Sequence, residues 1–129
     1  MTHKLELYKC KVCGNIVEIA QEGVGVLICC DEAMKLLEEN RPNKDDAHYA
    51  HIEKLDDITY SIKFNHPMDN VHYIKFIEII SNDKKYIKRK DLELNEAPEL
   101  SFKCECKEGF YVRLYCNLHG VQITHNEVQ

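Results

Sequence analysis

Long apolar runs are missing from this chain: none approaches the roughly 18 residues a membrane span requires. The opening Met1-Thr2-His3-Lys4-Leu5-Glu6 also lacks the apolar stretch of a secretory leader. These absences lead us to expect a cytoplasmic protein with no membrane partner. Excess positive charge is missing too. The formal net charge is −5, which argues against a nucleic-acid partner, because such binding rests on Lys and Arg neutralising phosphates. The basic run Lys84-Lys85-Tyr86-Ile87-Lys88-Arg89-Lys90 reads as a solvated strand edge or turn. No Gly-x-Gly-x-x-Gly or P-loop pattern occurs, so no nucleotide cofactor is indicated.

What the chain has is soft and borderline metal ligands: seven cysteines and seven histidines in 129 residues. Without an export signal the thiols are expected to stay reduced, so metal ligation is a better reading than a disulfide framework. The first group lies in residues 5–30. Cys10-Lys11-Val12-Cys13-Gly14 is a Cys-x-x-Cys knuckle whose glycine lets backbone amides turn toward sulfur, and the vicinal pair Cys29-Cys30 follows. Four thiolates make a closed tetrahedral site for Zn(II) or a single iron, and ligand type alone does not separate the two. A closed shell holds structure or moves an electron but leaves no position for substrate. Ile16-Val17-Glu18-Ile19 and Gly25-Val26-Leu27-Ile28 predict two short strands around it. So short a segment cannot bury enough apolar surface by itself, and the metal acts as its staple. Residues 31–37 suggest a turn of helix, and the charged, Pro-containing stretch that follows suggests a linker. This divides the chain into residues 1–38 and 39–129.

Beyond residue 48 the pattern is β. Ile58-Thr59-Tyr60-Ser61-Ile62-Lys63-Phe64 alternates apolar with polar, residues 73–80 form a strong strand, and residues 100–106 alternate again. Residues 110–115 and 121–124 bracket Cys116-Asn117-Leu118-His119-Gly120. Short strands at this spacing predict an antiparallel sandwich. A Cys-x-x-His pair alone is weak, since a buried cysteine is as often a small hydrophobe. A single histidine is weaker still. Here His48, His66 and His72 stand at strand ends or in loops, where a rigid sandwich presents ligands. Four imidazoles and one thiolate point to a second metal. Cys104 and Cys106, at i and i+2 of an alternating stretch, face one side. They read as a packed, reduced pair, with an auxiliary redox pair as the alternative. His3 and His125 read as solvent-exposed.

Taken together, Cys10-Lys11-Val12-Cys13-Gly14-Asn15-Ile16-Val17, Cys29-Cys30, His66-Pro67-Met68, His72-Tyr73-Ile74 and Cys116-Asn117-Leu118-His119-Gly120 resemble desulfoferrodoxin, the two-iron superoxide reductase family. The resemblance spans nearly the whole chain. It implies a mainly β protein, with a small desulforedoxin-like module ahead of an immunoglobulin-like antiparallel β-sandwich. It implies a rubredoxin-type iron on Cys10, Cys13, Cys29 and Cys30. It also implies a second iron with His48, His66, His72 and His119 as equatorial ligands, Cys116 as axial ligand and the sixth position open. The implied activity is one-electron reduction of superoxide to hydrogen peroxide without release of dioxygen. A rubredoxin-like electron donor, a homodimer and a role in oxygen-stress detoxification come with it.

One departure stands out. Many members carry Glu-Lys-His before the first imidazole, whereas this chain has Asp46-Ala47-His48. Asp46 is the candidate replacement for a glutamate that caps the oxidised iron, on a shorter stem. Ala47 removes the cation, and Lys44, His51 and Lys54 are the nearest replacements in sequence. Two other classes stay open: an electron carrier or sensor using the same irons, and a zinc-stapled interaction module. The Cys/His count of the second group and the acidic charge disfavour the latter.

Overall fold

The computed structural model describes residues 1–126, all of whose regular structure is β. The chain divides into two compact units, Met1–Glu38 and the remainder from Glu39.

In the first unit β1 (Leu7–Lys9) pairs antiparallel with β2 (Ile16–Glu18) on one side. A hairpin of β3 (Ile28–Cys29) and β4 (Glu32–Ala33) follows, and β5 (Lys35–Leu36) returns to the free edge of β1. The helical turn expected over residues 31–37 is therefore absent. Strand pairing wins there because it satisfies the backbone: Met34 N–H donates to Leu27 O at 2.9 Å and Leu37 N–H to Leu7 O at 2.8 Å. An isolated helical turn would leave most of those groups unpaired. Leu5, Leu7, Cys10 and Ile19 are the buried apolar side chains of the unit, a core too small to be self-sufficient.

The second unit opens with β6 (Glu39–Asn40) and runs through β7 (His51–Lys54), β8 (Thr59–Lys63), β9 (Ile74–Ser81) and β10 (Ile87–Asp91). It closes with β11 (Glu99–Lys103), β12 (Phe110–Cys116) and β13 (Gly120–His125). One sheet has the order β10-β9-β12-β13-β6, the other β11-β8-β7. All pairings are antiparallel except that of β6, which joins β13 in parallel at the edge. The stretch expected to bridge the units as a linker thus begins with a paired strand.

Alternation decides which faces meet. In β8 and β11 every second residue turns inward, and Tyr60, Ile62, Leu100 and Phe102 meet Ile77, Ile79, Val112 and Leu114 of the larger sheet. The result is the two-layer sandwich implied by the sequence. In β9 and β12 the opposite face is buried as well. It carries Arg113, whose Nε donates to Glu78 Oε1 at 2.8 Å, so the two charges are buried as a pair. β10, with the basic run, lies exposed at the sheet edge. The alternating stretch expected to reach Cys106 stops at Lys103, where Cys104 N–H crosses to Ile58 O at 2.7 Å and the chain begins to turn.

Candidate metal centres

The first centre is built by two turns. Gly14, at a φ of +84°, closes the knuckle after Cys13 and lets its N–H donate to Cys10 O at 3.0 Å. The Cys13 N–H points to Cys10 Sγ at 3.5 Å. Opposite it, Cys30 and Asp31 occupy the two central positions of the β3–β4 hairpin with φ of +52° and +63°. Positive φ at both positions is the signature of a type I′ turn, which here offers the two neighbouring cysteines to one point. The ligand atoms of Cys10, Cys13, Cys29 and Cys30 all lie within 4.8 Å of one another. Cys13 Sγ is 3.6 Å from Cys29 Sγ, and Cys29 Sγ is 3.9 Å from Cys30 Sγ.

Backbone N–H donors, that of Cys13 first, bring the Cys10 thiol down to about 7, whereas the crowd of neighbouring sulfurs, Cys13 first, pushes Cys30 up to about 12. Four thiolates cannot share this space without a cation. That charge demand, together with the all-sulfur donor set, fits Fe or Zn.

The second centre draws on three loops of the sandwich. Cys116 ends β12 beside a bulge, where the register against β9 shifts between Tyr115 and Cys116. His66 and His72 lie in the β8–β9 connection, and His48 in the β6–β7 connection. The connection is pinned locally: Asp69 Oδ1 accepts from Val71 N–H at 2.9 Å and His72 N–H at 2.8 Å. Asn117 then ties it to the β12–β13 turn, since Tyr73 N–H donates to Asn117 Oδ1 and Asn117 Nδ2 donates to Val71 O, each at 2.9 Å. Gly120, with a φ of +73°, closes that turn.

The imidazole tautomers follow from their partners. His48 Nδ1 lies 2.6 Å from Asp46 Oδ1, and His66 Nδ1 lies 2.6 Å from Pro67 O. A carboxylate and a carbonyl only accept, so both Nδ1 atoms carry hydrogen and both Nε2 atoms are bare. Those two Nε2 atoms face each other at 3.2 Å, and Cys116 Sγ is 3.4 Å from His66 Nε2. His72 Nε2 is buried with no hydrogen-bond partner. Bare nitrogens turned on one another beside a buried sulfur are unfavourable unless a cation sits among them. Burial pushes the His66 imidazole down to about 4 and lowers His72 as well, so both stay neutral and ligand-competent at pH 7.

Ligand atoms of His48, His66, His72 and Cys116 lie within 4.8 Å of one another. His119 stands at the rim: its ring is 4.8 Å from that of His48 and 4.9 Å from that of His72, and its Nδ1 is 3.6 Å from Cys116 Sγ. It is the exposed member of the set. Asp46 is outside the ligand group, engaged instead with the His48 backbone N–H at 2.8 Å and the His48 ring. Those bonds, the backbone one first, hold its carboxyl below the usual range.

The same two segments separate cleanly in comparison with known proteins. Residues 2–37 match the family model of the desulfoferrodoxin N-terminal domain, and residues 40–124 match that of desulfoferrodoxin. Desulfoferrodoxin of Desulfarculus baarsii is 42% identical over 124 residues, covering 93% of this chain and 95% of the relative. This chain belongs to the desulfoferrodoxin family. Within it, the first unit is similar to desulforedoxin of Megalodesulfovibrio gigas, 44% identical over 34 residues, which covers 26% of this chain and 92% of that one. The fold is that of the superoxide reductase from Treponema pallidum, with a TM-score of 0.71 over 94% of this chain and 98% of that one, at 21% identity.

Three residues of this desulfoferrodoxin-family site escaped sequence reasoning in their structural parts. Asn117 and Asp69 hold the loops, and Asp46 fixes a tautomer. An Asn inside a Cys-x-x-His turn and an Asp three residues before a ligand were the available signals.

Proposed function

We propose that this chain is a superoxide reductase, acting in detoxification with iron at both centres. The observation that carries the reading is the convergence of three imidazoles and a buried thiolate, with Nε2 of His48 and His66 bare by hydrogen bonding, at the loop end of a desulfoferrodoxin-family sandwich. His48, His66, His72, His119 and Cys116 hold the second iron. Bound by that set, ferrous iron would supply the one electron that, with two protons, converts superoxide to hydrogen peroxide. Cys10, Cys13, Cys29 and Cys30 hold the first iron in residues 1–38, a module joined in sequence to the catalytic domain of residues 39–129.

The residues themselves do several things. Asp46 and Pro67 O fix the tautomers of His48 and His66 so that lone pairs, not protons, face the centre. Neutral imidazoles leave the site with a net positive charge once metal is bound, which favours an anionic substrate. Cys116, fully buried, offers a thiolate in a low-dielectric setting, where its donation to metal is strongest. Ala47 adds no cation at the approach, where the charge of a bound metal would attract the anion.

The donor is a one-electron protein of the rubredoxin class, entering at the four-cysteine centre, whose Cys13 and Cys30 reach the surface. Exposed Val24, Val26 and Ile28 on the first unit support a homodimer. The five unpaired cysteines of the two centres support a reducing cytoplasm.

The test counts products. Iron-loaded protein with both irons reduced, mixed with superoxide, is expected to form one hydrogen peroxide per superoxide in the initial fast phase and no dioxygen. Dismutation gives half as much peroxide, with dioxygen, and that result would reject the reading. Cys116→Ser is expected to fold, to keep the first iron and to lose the visible sulfur-to-iron band of the second.

A further inference from the structure

The two remaining cysteines lie where β11 gives way to the turn before β12. Their Cα atoms are 5.2 Å apart and their sulfurs are joined as a disulfide. In an extended strand residues i and i+2 stand about 6.6 Å apart, so the chain has closed up here, and its Cα separation lies within the span usual for a disulfide. The backbone on both sides is anchored independently of the sulfurs. Cys104 N–H donates to Ile58 O at 2.7 Å, and Gly109 N–H donates to Cys106 O at 2.9 Å. The turn is also held to the β9–β10 loop, with Asn82 N–H donating to Gly109 O at 3.0 Å and Asn82 Nδ2 to Glu108 O at 2.7 Å. Gly109 makes that approach possible: a Cβ there would meet Asn82 Nδ2 at 2.9 Å. The pair is thus preorganised in either redox state.

It is also accessible. Cys104 and Cys106 both line an open cavity of about 640 Å³ between the two loops, which Tyr86, Lys103 and Lys107 share. Cys104 is buried at 6% exposure, whereas Cys106 is half-buried. Neither belongs to either metal group. In a reducing cytoplasm a disulfide is uncommon, and those that occur are usually transient and redox-active.

We propose that Cys104 and Cys106 form a second redox site, a dithiol–disulfide couple that reduces hydrogen peroxide to water. Cys106, the more exposed, attacks one peroxide oxygen as thiolate. The O–O bond breaks, an S–O bond forms, and the departing hydroxide is protonated to water, leaving Cys106 as sulfenic acid. The Cys104 thiol then attacks that sulfur, the S–S bond forms, and a second water leaves. Two thiols lose two electrons and two protons, and one peroxide becomes two waters. Exchange with an external dithiol restores the pair. The supply of peroxide rests on the superoxide-reducing function proposed above, since peroxide is its product; the couple itself does not.

The test uses the iron-loaded protein, reduced anaerobically, freed of reductant and titrated with hydrogen peroxide. Peroxide consumed is compared with that of the Cys104→Ser/Cys106→Ser double variant, and the peptide holding both cysteines is alkylated and weighed. The parent is expected to consume one more peroxide per chain, with that peptide carrying an internal disulfide. Cys104→Ser is expected to stop at a Cys106 sulfenic acid that dimedone traps. Equal consumption, with both thiols of the parent still alkylated, would overturn the proposal. The peptide readout on the parent decides the matter even if the double variant does not fold. In the double variant the peroxide yield from superoxide is expected to equal or exceed that of the reduced parent, whose dithiol consumes part of its own product, and a yield below the parent's would count against the separation of the two sites. Failure of superoxide to oxidise the second iron in the parent, with the disulfide still forming under added peroxide, rejects only the superoxide reading and leaves the couple supported.

Discussion

Which ring nitrogen is left bare at His48 and His66 depends on a single neighbour, and at His48 that neighbour is Asp46. Its Oδ1 takes both the ring hydrogen and the backbone N–H of His48. In this structure the carboxylate that the family resemblance suggested as a cap on the metal is hydrogen-bonded to His48. Asp46→Ala is expected to weaken retention of the second iron by about 10- to 100-fold. Asp46→Asn, which keeps an acceptor oxygen, is expected to retain most of it, as read by chelator competition. Equal retention in Asp46→Ala and the parent would remove this positioning part. The sequence showed an acid two residues before a histidine but not which atom it would meet, because spacing along the chain does not decide between metal and imidazole.

At the scale of elements, the second centre is a property of connections held at their roots. Asn117 spans from the β12–β13 turn to the segment carrying His72 through two side-chain hydrogen bonds. Replacing it leaves Tyr73 N–H and Val71 O without those partners. Asn117→Ala is expected to lower stability by about 1–3 kcal/mol and to loosen the second iron more than the first. Urea unfolding and metal analysis check this; a loss within about 0.5 kcal/mol, the range of an ordinary surface substitution, would mean the clamp is incidental. The strands themselves were legible. Alternation in β8 and β11 and the apolar runs of β9 and β12 carry the period and composition of half-buried and doubly buried strands. The short strands of residues 31–37 were not. A segment of a few residues has no period to read, and its pairing with β1 and β3 rests on backbone hydrogen bonds to strands distant in sequence. The placement of His119 at the rim was equally hidden, since spacing says nothing about exposure.

For the whole molecule, the two units differ in what holds them. The sandwich has a core of Ile62, Ile74, Ile77, Ile79, Phe110 and Leu114, each at most 1% exposed. The first unit has four buried apolar side chains, one of them a ligand cysteine. Removing iron with a chelator is expected to unfold residues 1–38 while the sandwich persists. Amide exchange checks this: rapid exchange at β1 and β2 with protection kept at β9 and β12 is expected, and loss of protection throughout would contradict it. In the metal-free sandwich a pH dependence follows from His66. Its folded value, about 4, lies below its ordinary 6.5, so between those values the unfolded chain binds a proton that the folded chain refuses. Stability is complete above about pH 6.5 and falls by roughly 3 kcal/mol as the pH drops toward 4.

The second centre, not the first, is the one expected to meet superoxide. The most direct test mixes the fully reduced, two-iron protein with a pulse of superoxide and follows the visible absorption of each centre on the millisecond scale. The Cys116-bound iron is expected to oxidise first, with one hydrogen peroxide formed per superoxide, and the four-cysteine iron to follow only as it returns the electron. Prompt oxidation of the four-cysteine iron, with the Cys116-bound iron left ferrous, would contradict it.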